Sequence, residues 1–174
     1  APPSEDDLRA RERVAVAFAD AADLAAKGKK ALKAFSVPEA AADKLWKALR
    51  TQGVFRGRGA PAKVAFMYTG QGSQYANMLR VLRDREPVVR ATFDEADRIM
   101  QPLLGKPLSD VIFVDPNDAA ALKAAEADLM RTEITQPAVL AVDVALTRLL
   151  AEYGVVPDMV IGHSLGEYGA LVAA

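Results

Sequence analysis

Apolar residues change their spacing several times along the chain, and each change marks an expected element. In 13–18 the larger apolar residues Val14, Val16 and Phe18 alternate with their neighbours, the period of a strand. The alanine-rich stretch 21–35 favours helix by propensity. Ser36 and Glu39 stand at capping-box spacing with Pro38 in a first-turn position, which predicts a second helix to about Arg50 with Leu45, Trp46 and Leu49 on its apolar face. Residues 53–58 read as a short strand, 59–61 as a break, and the polar, proline-bearing residues 1–11 as loose chain. Residues 1–60 thus predict a small strand–helix–helix–strand unit.

From Val64 the pattern is different. Residues 64–68 form a short, nearly continuous apolar run that stops at Gly70, as expected of a strand buried on both faces in a parallel sheet. Helices are predicted from near Ser73, over 87–100 with Val89, Phe93, Ala96 and Met100 on one face, and over 118–130. Residues 108–113 fit helix or strand. Gln136-Pro137 is read as the start of a long helix with Val139, Val142, Leu146, Leu149 and Tyr153 on one face and Gly154 at its end. Residues 158–162 are a second buried strand leading directly into Ser164 and a last helix. Strands alternating with helices over short connections predict an α/β fold with a mainly parallel sheet in 61–174.

Composition narrows the function classes. The chain has no cysteine and one histidine, His163, so neither a thiolate site nor a multi-ligand zinc site is expected. Residues 1–63 hold 13 Lys and Arg against 8 Asp and Glu, and residues 64–174 hold 9 against 15. The basic half interleaves its charges with acids and alanines at helical spacing and has few aromatics, which reads as a solvated helix face and not a nucleic-acid arm. No apolar run is read as long enough to span a bilayer, and no signal-peptide pattern opens the chain, so a cytoplasmic protein is the expectation. The start without methionine and the stop inside an apolar helical pattern lead us to expect a piece of a longer protein.

Two segments can carry chemistry. Gly162-His163-Ser164-Leu165-Gly166 places a serine between small residues at a strand-to-helix turn, the requirement of a nucleophile elbow. At such a helix start the N–H of Leu165 is free to hold an oxyanion, and the helix dipole favours negative charge there. The same five residues also fit a plain glycine-flanked turn. Gly70-Gln71-Gly72-Ser73-Gln74 follows the other buried strand. It matches neither phosphate-loop spacing, and its alternatives are a tight turn or a second oxyanion donor through the Gln71 backbone.

Residues 68–74 and 162–167 resemble the two signatures of malonyl-CoA:acyl carrier protein transacylases and of the acyltransferase domains of polyketide and fatty acid synthases. Thr135-Gln136-Pro137-Ala138 is similar to a third family segment between them. The resemblance covers roughly 62–174, and 1–60 resemble the linker between a ketosynthase and its acyltransferase; the wording is nearest to polyunsaturated fatty acid and enediyne synthases. It implies the first part of an α/β-hydrolase-like acyltransferase core, preceded by a small α/β linker subdomain. It further implies malonyl transfer from CoA to the phosphopantetheine thiol of an acyl carrier protein, with no bound cofactor. In that reading Ser164 is the nucleophile, Gln71 and Leu165 hold the oxyanion, and Gln136 lies near the nucleophile or merely precedes a helix proline. Glu167 suits the helix dipole whatever the function, and Leu165 leans towards malonyl.

The match is incomplete at the base. His163 adjoins Ser164, and neighbours across a sharp elbow diverge, so a packed, structural histidine is expected. The family's catalytic histidine and its carboxylate-binding arginine have no counterpart here, which predicts a chain deficient in catalysis. A serine hydrolase or thioesterase using the same elbow, and a non-catalytic docking piece, are the alternatives.

Overall fold

A computed structural model of the chain describes residues 4–60 and 62–174. They fall into two compact units, with the division in the chain between Ala62 and Lys63.

The first unit opens with a short helix, α1 (Glu5–Arg9), where loose chain was expected. Ser4 and Asp7 cap each other's backbone N–H, and Glu5, Asp6 and Asp7 place three acids in the first turn. Residues 1–3 lie outside the described residues. Strand β1 (Glu12–Val16) pairs antiparallel with β2 (Val54–Arg58), Val16 opposite Val54. Between them run α2 (Ala21–Phe35) and α3 (Glu39–Arg50). The β1 strand stops two residues short of the expected end, and Phe18 is exposed. The capping box expected at Ser36 does not form. α2 runs to Phe35, Ser36 takes a helical conformation, and its hydroxyl donates back to the Leu32 carbonyl at 3.1 Å. Pro38 takes the N-cap of α3 instead, with no side-chain cap. Ala31, Ala34, Leu49 and Val54 form the core, with Val16 and Trp46 against it. The Arg56 guanidinium lies 4.7 Å from the centre of the Phe35 ring and 5.2 Å from that of Trp46.

In the second unit β3 (Ala65–Tyr68) and β4 (Met159–Gly162) pair in parallel, Tyr68 opposite Gly162. A parallel pair needs a crossover. Here it comprises α4 (Arg80–Arg85), α5 (Pro87–Leu104), α6 (Ser109–Ile112), α7 (Ala119–Asp128) and α8 (Thr132–Glu152), and β4 leads into α9 (Gly166–Ala173). Asp158 fixes the register by accepting the Val64 N–H at 2.7 Å.

Three expectations are corrected in this unit. No helix starts near Ser73, because Asn77 and Leu79 both adopt positive φ (64° and 60°). Asn77 is held there by its N–H to the Ile112 carbonyl (2.7 Å) and by its side-chain oxygen, which accepts the Val114 N–H (3.0 Å). Next, α8 begins at Thr132, so Pro137 sits inside it and not at its start. Val139 and Leu149 of the expected face are buried, but so are Ile134, Thr135, Ala138, Ala141 and Ala145, while Val142 and Leu146 are half-buried and Tyr153 is exposed. The three alanines let α5 come close, and Val89 and Phe93 of α5 fill the space with Leu108, Ile112 and Leu129. The helix is long and apolar enough to cross a membrane by length and composition, which the sequence reading missed; its buried stripe is the centre of this core. Finally, the two strands are covered on one face only. Met67, Met159 and Ile161 are 79%, 62% and 58% exposed, while Tyr68 on the other face is buried towards α9.

Candidate active site

Ser164 stands between β4 and α9 with φ 53°, a left-handed conformation that a serine adopts only when its surroundings impose it. Two glycines do so. A Cβ at Gly162 would overlap the Gly166 carbonyl, and one at Gly166 would overlap the Tyr68 carbonyl. Strand, turn and helix therefore fit together only without those side chains. The hydroxyl-bearing residue is left exposed.

The predicted oxyanion donors are available. Leu165 is 6% exposed and in helical conformation, and its N–H donates no hydrogen bond among the described residues. The next amides are engaged: Gly166 donates to the His163 carbonyl (2.9 Å) and Glu167 to the Ser164 carbonyl (3.1 Å). The Gln71 N–H likewise donates nothing among the described residues. The Tyr68–Gly162 register brings its loop to the elbow, as the His163 N–H bond to the Tyr68 carbonyl (3.2 Å) shows. Within the loop Thr69 and Ser73 hydroxyls pair at 2.9 Å, and the Gln74 side chain accepts the Gly72 N–H at 2.8 Å.

Gln136 lines the same cleft as Ser164 and makes its side-chain contact with Gln71. Its amide lies 3.5 Å from the Gln71 side-chain oxygen, and the Gln71 amide lies 3.4 Å from Thr132 Oγ1. Ser164, Gln71, Leu165 and Gln136 together line an open cleft of about 490 Å³ with Glu167, Tyr168 and Leu171. The last two were missed in the sequence, although residues 164, 168 and 171 share a helical face. Thr132 was missed because the helix was started too late. Glu167 is the one charged side chain of the cleft lining.

His163 is exposed, contrary to the expectation of a packed residue, because the elbow turns it outward beside Gly70. Its Nδ1 would stand 2.9 Å from a Cβ at Gly70. No hydrogen bond joins its ring to the Ser164 hydroxyl among the described residues, as the divergence across the elbow requires.

Residues 65–174 match the family described as acyl transferase domain. The chain belongs to that family. It is 42% identical over 116 residues to polyketide synthase GfsA of Streptomyces halstedii, a match spanning 66% of this chain and 2% of that protein. With the malonyl CoA-acyl carrier protein transacylase of Bacillus subtilis it shares 40% identity over 113 residues, 65% of this chain and 32% of the relative. The crystal structure of the acyltransferase domain from the second module of the salinomycin polyketide synthase superposes with a TM-score of 0.66 at 32% identity, over 91% of this chain and 32% of that one. The fold is thus that of an α/β-hydrolase-like acyltransferase, and this chain spans about a third of such a domain.

Proposed function

We propose that the chain is the nucleophile-bearing part of an acyltransferase that moves a malonyl group from CoA to an acyl carrier protein. The observation that carries this reading is Ser164 at positive φ with two unengaged amides, Gln71 and Leu165, lining the same cleft. Ser164 Oγ attacks the thioester carbonyl carbon and gives its proton to a base. The two amides receive the oxyanion, the C–S bond breaks, and CoA leaves as the thiol. The base gives its proton to the departing CoA sulfur. The phosphopantetheine thiol of the carrier protein then loses its proton to the base and attacks the acyl-serine carbonyl. The ester C–O bond breaks, and Ser164 Oγ takes that proton from the base. No bound cofactor enters either half.

The base is the missing part. His163, the one histidine of the sequence, is not among the residues that line the cleft. This chain alone is therefore slow or inert, and the proton acceptor belongs to the part of the domain it does not span. The first unit is the linker to a neighbouring ketosynthase: the salinomycin domain parallels 91% of the chain, whereas the match to the Bacillus transacylase spans 65%. A CoA-dependent synthase of this kind works in the cytoplasm.

Intact mass with and without malonyl-CoA, on the whole acyltransferase domain and on its Ser164→Ala variant, tests the reading. A malonyl adduct lost in the variant, and discharged by an acyl carrier protein, is expected. An adduct that hydrolyses as fast without carrier protein would instead mark a hydrolase. No adduct on the folded domain would leave Ser164 a turn residue.

A further inference from the structure

α9, the helix that carries Ser164, is seated on the rest of the unit at two glycines. Gly166 lies on the β3 backbone at Tyr68. Gly169 lies on a side-chain pair: a Cβ there would come 2.9 Å from Tyr68 Cδ1 and 3.0 Å from Asp143 Oδ2. Asp143, on α8, is outside the cleft lining and has no part in the reaction described above.

That carboxyl is in an unusual position. Its Oδ2 is buried and has no hydrogen-bond partner among the described residues. The hydroxyls nearby are otherwise engaged, because Tyr68 pairs with Thr147 Oγ1 at 2.8 Å and Thr147 donates to the Asp143 main-chain carbonyl at 2.7 Å. The charged groups of the neighbouring elements face elsewhere. Arg148 of α8 binds Glu95 of α5 at 2.6 Å, and Glu167 of α9 lines the cleft. From β3 the facing group is the Tyr68 ring, and from α9 it is bare backbone.

We propose that Asp143 is a positioning residue for the nucleophile elbow, seating α9 on α8 and β3 while neutral and loosening that seat when it ionises. A carboxylate in this place would hold one buried oxygen, Oδ2, without a donor, which costs more than a neutral carboxyl. Burial accordingly pushes the Asp143 carboxyl up to about 6 from its ordinary 3.8. Because the folded value lies above the unfolded one, the contribution is complete below about 4, declines through about 6, and is absent above it. The inference concerns the helix and not the acyl group, so neither readout below depends on acylation of Ser164.

The test compares the 174-residue chain with its Asp143→Asn variant by amide hydrogen exchange over α9 from pH 5 to pH 8, corrected for intrinsic rates. Protection of the α9 amides in the parent is expected to fall on the order of tenfold across that range, the shift being discounted for partial exposure. The variant, which keeps the shape and cannot ionise, is expected to stay flat. An equal fall in both chains overturns the proposal. A carbon-13 titration of the Asp143 carboxyl in the parent decides the matter even if the variant fails to fold. Titration near 6 with α9 amides shifting in step supports it, and titration near the ordinary carboxyl value overturns it.

Discussion

The two loops that meet at the cleft are built by different means. The elbow is held by exclusion: Gly162 and Gly166 leave no room for a side chain against backbone atoms, and no flexible group nearby can give way. The Gln71 loop is held by side chains. Thr69, Ser73 and Gln74 make its hydrogen bonds, and Gln136 and Thr132 reach the Gln71 side chain only at 3.4 to 3.5 Å. A serine fixed by backbone packing cannot drift without unfolding the strand–helix junction. A donor loop held by exposed hydrogen bonds can adjust at small cost. The difference locates rigidity at Ser164 and the Leu165 amide beside it, and leaves tolerance in the Gln71 loop.

Substitutions that exchange these roles test the contrast. Gly166→Ala forces a Cβ into the Tyr68 carbonyl and is expected to cost about 3 kcal/mol or more, read as a drop in the urea midpoint. A midpoint close to the parent's would mean that the junction can breathe. Gly169→Ala meets the Tyr68 ring and the Asp143 carboxyl, side chains that can yield, so about 1–2 kcal/mol is expected from the same measurement. Thr147→Val keeps the shape and strands the Tyr68 hydroxyl; about 1 kcal/mol should be lost, and Tyr68→Phe in addition should recover part of it. Gln136→Ala touches only a long, exposed contact. Its stability change should stay within about 0.5 kcal/mol, and exchange at the Gln71 amide should alter instead. If Gln136→Ala rivals Gly166→Ala, the two loops are not built differently after all.

The elbow was legible because its requirements are local. Small residues at 162 and 166, an apolar run before and a helical pattern after are all visible in the chain, and the left-handed Ser164 follows from them. The helix from Pro87 was legible for the same reason, its apolar residues repeating at helical spacing, although it runs on to Leu104, past the expected end at Met100. Local signals misled where a longer-range contact outweighed them. Ser36 has capping-box spacing, but α2 reaches Phe35 and claims it. The polar run from Ser73 has no strong breaker, but Asn77 is fastened to Ile112 and Val114 across the core and turns left-handed. Pro137 looks like a helix start, but the turn before it packs Ile134 and Thr135 into the core and extends α8 backwards.

The sequence by itself determined the backbone setting of Ser164: a serine forced into a strained turn, followed by an amide that no helix bond can use. These depend on residue size and on the geometry of a helix start, which a few adjacent residues decide. The tertiary structure alone decided which residues of α8 are buried and that the Gln136 side chain meets that of Gln71. Those outcomes rest on the parallel register of Tyr68 with Gly162 and on alanines that let α5 approach α8. Pairing and close packing join residues far apart in the chain, and no local pattern of apolar and polar positions carries that information.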